Sequence, residues 1–289
     1  MIVRDIATDQ GDVWLIPGDI HFDAQDDRAL AVMLKVARAF RVNGAILIGD
    51  TFESAGISRH GRPGRKFRFG QGTIAAEAEA ARSFIERLSA LVLQNRGDPG
   101  FLHVLQGNHE AWWTGVQDEF PGLVDTPWYE LYGDLFNGWH VWDETTALRL
   151  GSLLVCHGHR LRGSLSKNSA ASVLANYPGQ NTLYGHTHRV DQCVTPTYKY
   201  GVSQDHGAWT IGHMRDIKKE LTQGQIGPFA ERHKQGFALV SIHQPSGCPW
   251  RGAARFKVDV VTVDRDTDGA PYCVVGGVLF EEDHALPVK

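Results

Sequence analysis

Between Val13 and Leu105 the chain alternates short apolar runs with longer amphipathic stretches, and this alternation limits the possible folds more than any other feature. Val13-Trp14-Leu15-Ile16, Ala45-Ile46-Leu47-Ile48 and Phe101-Leu102-His103-Val104-Leu105 are too short to be helices. They are stopped by Pro17-Gly18, Gly49 and Gly107, and so read as buried strands. Between them Leu30, Met33, Leu34, Ala37 and Phe40 recur at helical spacing, with Asp26 and Asp27 in the first turn, where the helix dipole favours them. A second helical face, Ile74, Ala78, Ala81, Ile85, Leu88 and Val92, is closed by Gly97, Pro99 and Gly100. Strand, helix, strand, helix, strand is the signature of an α/β fold.

The same reading continues downstream. Ala147-Leu148-Arg149-Leu150, a Gly151-Ser152 turn and Leu153-Leu154-Val155-Cys156 predict a hairpin. A helix is expected around Ala170 to Asn176, then a strand over Thr182-Leu183-Tyr184, and later strands over Phe237–Ile242 and Phe256–Val260. Met214 to Lys234 is mixed in charge and matches no template. No linker-like composition, repeat or low-complexity stretch divides the chain, so residues 1–289 are expected to form one domain.

The ends of these strands carry the chemistry. Five apolar runs finish in Asp19-x-His21, Gly49-Asp50, Gly107-Asn108-His109, His157 and His186-x-His188. Strands of one sheet converge at their C-terminal edge, which would bring donors far apart in sequence into one site. Carboxylate, amide and imidazole donors without thiolate suit borderline divalent ions such as Mn, Fe, Zn or Ni. Seven donors are too many for one tetrahedral ion and about right for two. His157 is preferred over its competitor His159 because it directly ends the strand. Cys156, one step away on the opposite face, is expected to be a small buried hydrophobe.

The blocks GDIH, GD, GNHE, HGH and GHTH, in this order from Gly18 to His188, resemble the five signature blocks of the calcineurin-like metallophosphoesterase family. The resemblance implies a four-layer α/β/β/α sandwich with two mixed sheets and a dinuclear metal site at strand C-terminal ends, residues 189–289 supplying strands that complete it. It implies that Asp19, His21 and His188 hold one ion, that Asn108, His157 and His186 hold the other, and that Asp50 bridges them. Mn is the favoured metal, with Fe, Zn, Ni or Mg as alternatives. It further implies hydrolysis of a phosphate ester by a metal-bridging hydroxide, with His109 as general acid or transition-state stabiliser. Glu53 stands where many members have an aspartate and is expected to orient His109. No Asp-Arg-Gly follows Asp50 and no glycine follows His21, which sets the chain apart from the protein Ser/Thr phosphatases and dinucleoside polyphosphate hydrolases. Glu110 is the least informative letter of its block. GNHE, HGH and GHTH with a late Gln235-Gly236-Phe237 strand also look similar to members encoded by phages and prophages.

Substrate class is read from the surroundings. Ser58 to Gln71 holds Arg59, Arg62, Arg65, Lys66 and Arg68 without an acidic residue, and its glycines and Pro63 mark it as a loop. Leaving directly from the Asp50 turn, it could reach a polyanion, and His159, Arg160, Arg162 and Lys167 would extend the same rim. Residues 111 to 142 contain Trp112, Trp113, Trp128, Trp139 and Trp142, for which core packing is the first expectation and base stacking the second. Together these favour a phosphodiester of DNA, RNA or a nucleotide over a phosphomonoester. A non-catalytic scaffold is the reading of another class, and the complete set of seven donors argues against it. His60, His103, His140, His233, His243 and His284 are assigned to structure or surface, while His206 and His213 are undecided.

A net charge of -4 and a pI near 6.4 exclude a molecule-wide positive field, so nucleic-acid affinity would have to be local. Cys156, Cys193, Cys248 and Cys273 form no C-x-x-C pair, which argues against a zinc ribbon and for a reducing compartment. No stretch approaches the roughly 18 apolar residues of a spanning helix, so no membrane partner and a cytoplasmic location are expected.

Overall fold

The computed structural model describes residues 1–57, 73–122, 125–199, 202–217, 232–243 and 255–282. The N-terminal half runs β1 (Ile2–Asp5), β2 (Val13–Pro17), α1 (Asp27–Ala39), β3 (Gly44–Leu47), α2 (Ile74–Arg96), β4 (Leu102–Leu105), α3 (Trp112–Glu119) and β5 (His140–Trp142). Both long helices begin where the sequence places them, for a local reason. The Asp26 carboxylate accepts the N–H of Ala29 at 3.1 Å, and the Thr73 hydroxyl accepts that of Ala76 at 3.0 Å, so each helix is capped by a side chain that satisfies a free first-turn donor. The second half runs β6 (Thr146–Leu150), β7 (Leu153–Cys156), α4 (Ser169–Asn176), β8 (Asn181–Tyr184), β9 (Val190–Lys199), β10 (Val202–Ile211), β11 (Gly236–His243), β12 (Arg255–Thr262), β13 (Asp264–Arg265), β14 (Pro271–Val275) and β15 (Val278–Glu281).

Two mixed six-stranded sheets organise these strands. The first has the order β12-β11-β2-β3-β4-β5, with β2 to β5 parallel and β11 antiparallel to β2. The second has the order β1-β6-β7-β8-β10-β9, in which β6 and β7 form the expected hairpin and β7, β8 and β10 run parallel. A small antiparallel sheet, β13-β14-β15, lies beyond them and contacts α1. Strand β1 pairs in parallel with β6 but is exposed along its length, and its mixed sequence gave no strand pattern.

One apolar cluster joins residues of both sheets, including Leu15, Ile46 and Val104 from the first and Leu148, Leu150, Val155 and Leu183 from the second, together with the inward faces of α1 and α2. Alternation along the second sheet sends the intervening residues, Ala147, Cys156 and Tyr184, to its other face, where they pack with Ala170 and Val173 of α4. Cys156 is thus a buried hydrophobe, and burial pushes its thiol up to about 12. Trp128 and Trp139 are buried in the first cluster, where the Tyr132 ring lies 3.5 Å from Phe52 in a parallel stack. Most of the aromatic segment therefore serves packing. None of the described helices is long and apolar enough to cross a membrane.

Candidate metal centre

Strands β2, β3 and β4 lie side by side in the first sheet, and β7 and β8 side by side in the second. Their C-terminal ends deliver the donors, so the site is shared between two sheets, where the strand pattern alone suggested one. Asp19 and His21 follow β2, Asp50 follows β3 and Asn108 follows β4; His157 follows β7, and His186 and His188 follow β8. Four of these seven residues, His21, Asp50, His186 and His188, have a left-handed backbone, with φ of 55°, 46°, 68° and 56°. Such φ values are uncommon outside glycine and cost on the order of 1–3 kcal/mol each, so their concentration at one place marks a site whose geometry the surrounding fold imposes.

The donors meet at short range. Nε2 of His21 is 3.1 Å from Nε2 of His188, which is 3.4 Å from Oδ2 of Asp19. Across the site, Nε2 of His157 is 3.0 Å from Oδ1 of Asn108 and 3.3 Å from Oδ2 of Asp50. Ligand atoms of Asp19, His21 and His188 fall within 4.8 Å of one another, and so do those of Asp50, His157 and His186. Oδ1 of Asp19 is buried and has no hydrogen-bond partner among the described residues. The desolvation of a buried carboxylate oxygen without a donor is offset by a cation or by protonation, and the donors gathered beside this one suit the cation. Oxygen and imidazole donors crowded around such an oxygen fit divalent ions of the borderline class.

Space for this crowding comes from missing side chains. A Cβ on Gly107 would lie 2.2 Å from both the amide nitrogen and Oδ1 of Asp50, and one on Gly185 would lie 2.2 Å from Oδ1 of Asp19. Main-chain donors then set the carboxylates: the N–H of His186 donates to Oδ2 of Asp19 at 2.7 Å and that of His109 to Oδ1 of Asp50 at 2.9 Å.

Electrostatics separates the two acids. Burial pushes Asp19 up to about 7, opposed by His157. Burial also opposes ionisation of Asp50, but His157, His109 and His21 around it hold its carboxyl well below the usual range. Burial lowers His186 to about 3 and holds His21 well below its ordinary value, so both present neutral imidazoles. For His157 burial is outweighed by Asp50, which raises it to about 9. The centre of the site therefore favours positive charge beside Asp50.

His109 and Glu53 are both present at the site, but joined differently from expectation. Nδ1 of His109 donates to the main-chain carbonyl of Glu53 at 2.8 Å, leaving Nε2 3.9 Å from Oδ2 of Asp50. The Glu53 carboxylate instead faces His21, with Oε2 3.0 Å from Nδ1, and pairs with Arg215 at 3.2 Å. Its extra methylene carries the carboxylate past His109, while the adjacent carbonyl takes over the orienting role. Trp112 stacks on His109 with ring centroids 4.1 Å apart.

The proposed substrate rim is held by other contacts where it is described. His159 lies 3.1 Å from Glu144, which also pairs with Arg160, and His159 joins neither of the donor clusters around Asp19 and Asp50. Arg59, Arg62, Arg65 and Arg68 lie outside the described residues.

Four participants escaped the sequence reading. Glu110 is buried and its carboxylate accepts the N–H groups of Gly107, Asp50 and Phe52, at 2.8, 3.1 and 3.0 Å. His213 is fully buried, bridges to Asp19 through the main chain and packs against His188 at 5.0 Å; His233, assigned to structure or surface, also lies beside His188, at 5.1 Å. Arg215 is the buried partner of Glu53. The i, i+2 spacing of His213 and Arg215 was the available signal, hidden in a stretch of mixed charge.

No family model matches the chain, and no curated protein does. Among solved structures it is similar to Vacuolar Protein Sorting 29 from Cryptosporidium parvum, with 13% identity, a TM-score of 0.41, and coverage of 94% of this chain and 96% of that one. It is also similar to a conserved uncharacterized protein, a predicted phosphoesterase, from Streptococcus pneumoniae TIGR4, with 15% identity, a TM-score of 0.34, and coverage of 95% and 98%. Likenesses with TM-scores this low have no bearing on the fold or the site.

Proposed function

We propose that this chain is a metal-dependent phosphoesterase of the calcineurin-like type, layered α/β/β/α, that cleaves phosphodiesters of nucleic acids or nucleotides. The observation that carries the proposal is the meeting, from five strand ends in two sheets, of the donor groups Asp19-His21-His188 and Asp50-His157-His186, with Asn108 beside His157 and a buried Asp19 oxygen that has no hydrogen-bond partner among the described residues. In this reading Asp19, His21 and His188 hold one ion, Asn108, His157 and His186 hold a second, and Asp50 lies between them. When bound, the two ions supply Lewis acidity and a nucleophile at neutral pH. Mn is the metal we favour, followed by Fe, Zn, Ni or Mg.

His109 has the protein's own chemical role. The carbonyl of Glu53 can only accept, so Nδ1 of His109 carries a proton and Nε2 is the atom left to exchange one. Nε2, when protonated, gives its proton to the departing oxygen as general acid. Trp112, stacked on that imidazole, packed against Ile57 and Val116 and partly exposed, adds aromatic surface beside His109. That aromatic surface, together with the run of Arg59, Arg62, Arg65 and Arg68 in the sequence, supports a diester with nucleoside groups.

The test is hydrolysis by Mn-loaded protein of bis(p-nitrophenyl) phosphate against p-nitrophenyl phosphate, followed by nicked duplex, single-stranded DNA and RNA. Diester turnover that disappears with chelation is expected. Turnover of the monoester alone would move the substrate class to phosphomonoesters, and no turnover of any substrate by metal-replete protein would leave a binding scaffold.

A further inference from the structure

We propose that Glu53 and Arg215 are positioning residues for His21, fixing which ring nitrogen of that imidazole meets a cation; the proposal rests on the metal-centre reading above. His21 is fully buried, and its backbone is held by donation of its N–H to the Asp50 carbonyl at 3.0 Å. Its Nε2 faces His188, and the opposite nitrogen, Nδ1, has no hydrogen bond of good geometry among the described residues. Oε2 of Glu53 stands 3.0 Å from that Nδ1, a distance that a small rotation of either group converts into donation.

A neutral imidazole carries one proton, and a carboxylate at Nδ1 keeps it there, leaving the Nε2 lone pair for the ion. Arg215 makes this arrangement single-valued. Its guanidinium lies 3.2 Å from the same Oε2 and is itself buried, so it compensates the charge of Glu53 and holds the carboxylate away from the cation. Without it, Glu53 would be free to compete for the ion, since its carboxylate already lies within 4.8 Å of donor atoms of His21 and His109.

Arg215 is in turn anchored by its main chain. Its N–H donates to Nδ1 of His213 at 3.0 Å, and its carbonyl accepts from Gln235 at 2.8 Å. Gln235 also donates to Asp26, the cap of α1. A buried ion pair adds little to stability over apolar residues of the same size. Its place behind one imidazole of a seven-donor site is accounted for by what it does to that imidazole.

The test uses metal-free full-length protein, wild type, Glu53→Gln and Arg215→Met, titrated with Co2+ and followed by d–d absorption and by melting of the metal-free state. Wild type should bind two ions. In each variant one affinity should fall roughly 10–100-fold with a shifted band while the other stays unchanged, and Arg215→Lys should recover part of the loss. Two wild-type affinities and spectra with only a lowered melting temperature would make the pair purely structural and overturn the proposal. Loss of one ion in Glu53→Gln that excess Co2+ does not restore would make Glu53 a ligand, and would overturn it too. Wild type that binds no Co2+ would bring down the metal reading itself, a result distinct from any confined to the variants. Should Arg215→Met fail to fold, the isosteric Glu53→Gln decides alone.

Discussion

The carboxylate of Glu110 accepts the main-chain N–H of Asp50 at 3.1 Å, and in doing so ties the turn after β4 to the turn after β3. The same side chain takes the N–H groups of Gly107 and Phe52, so one buried residue satisfies donors on both turns. Removing it leaves three buried donors unpaired, each worth about 1–3 kcal/mol. Glu110→Ala should therefore lose about 3 kcal/mol or more in urea unfolding of the metal-free protein, and Glu110→Gln, which keeps one oxygen, should lose less. Equal stability of all three would show that the turns hold without this bridge.

Gly107 is constrained by contact. A methyl group there would sit 2.2 Å from Oδ1 of Asp50, in a region with no slack. Gly107→Ala should displace Asp50, lower stability by about 3 kcal/mol and reduce the Mn retained after dialysis, measured by atomic emission. Retention equal to wild type would mean the Asp50 turn can shift without harm to the centre.

His109 touches the proposed ligands without being one. Its replacement by alanine should lower diester turnover roughly 10²–10⁴-fold and leave metal content intact. A variant that loses its metal instead would show that the ring supports the centre rather than the leaving group.

Glu77 offers a pH dependence that rests on no donor residue of the proposed metal centre. Burial pushes its carboxyl from 4.5 up to about 7, against donation from Ala55 and Tyr132. Because the folded value is the higher one, the folded state binds the extra proton. The stabilisation is complete below about 4.5 and is lost as pH rises through about 7, by an amount on the order of 3 kcal/mol. Glu77→Gln, which stays neutral, should flatten that part of the stability-against-pH curve and gain most over wild type near pH 8 in urea unfolding. Parallel curves for the two proteins would rule out Glu77 as the source.

The parts of this molecule legible in the sequence share a physical reason. Strands β2, β3 and β7 are buried on both faces and appear as unbroken apolar runs, β4 and β8 are buried runs interrupted by His103 and by Asn181-Thr182, and the donor residues stand out at the ends of all five. Helical spacing made α1 and α2 legible as well, while the caps that fix their starts, Asp26 and Thr73, emerged only in the structure. What stayed hidden depends on contacts over long separations. Nothing local in Glu110 announces that it accepts from residues 58 and 60 positions earlier. Arg215 and His213 acquire meaning only when their segment is laid between Asp19 and Gln235. Which strand joins which sheet was also invisible, because a buried strand reads the same in either. Glu53 shows the finest limit: its side chain and its carbonyl serve different histidines, and only coordinates separate the two.

Division of the donors between two sheets has a consequence for how the protein comes to be made. Asp19, His21, Asp50 and Asn108 belong to one half and His157, His186 and His188 to the other. A chain emerging from synthesis holds no finished binding place until residue 188 is out and the two halves have closed. Under the proposed metal reading, ion capture would then be a late event that selects among metals with a rigid frame, not with a string of loose imidazoles. Ions seated there would act as rivets across the seam, and their removal should raise amide exchange first along the facing strand ends.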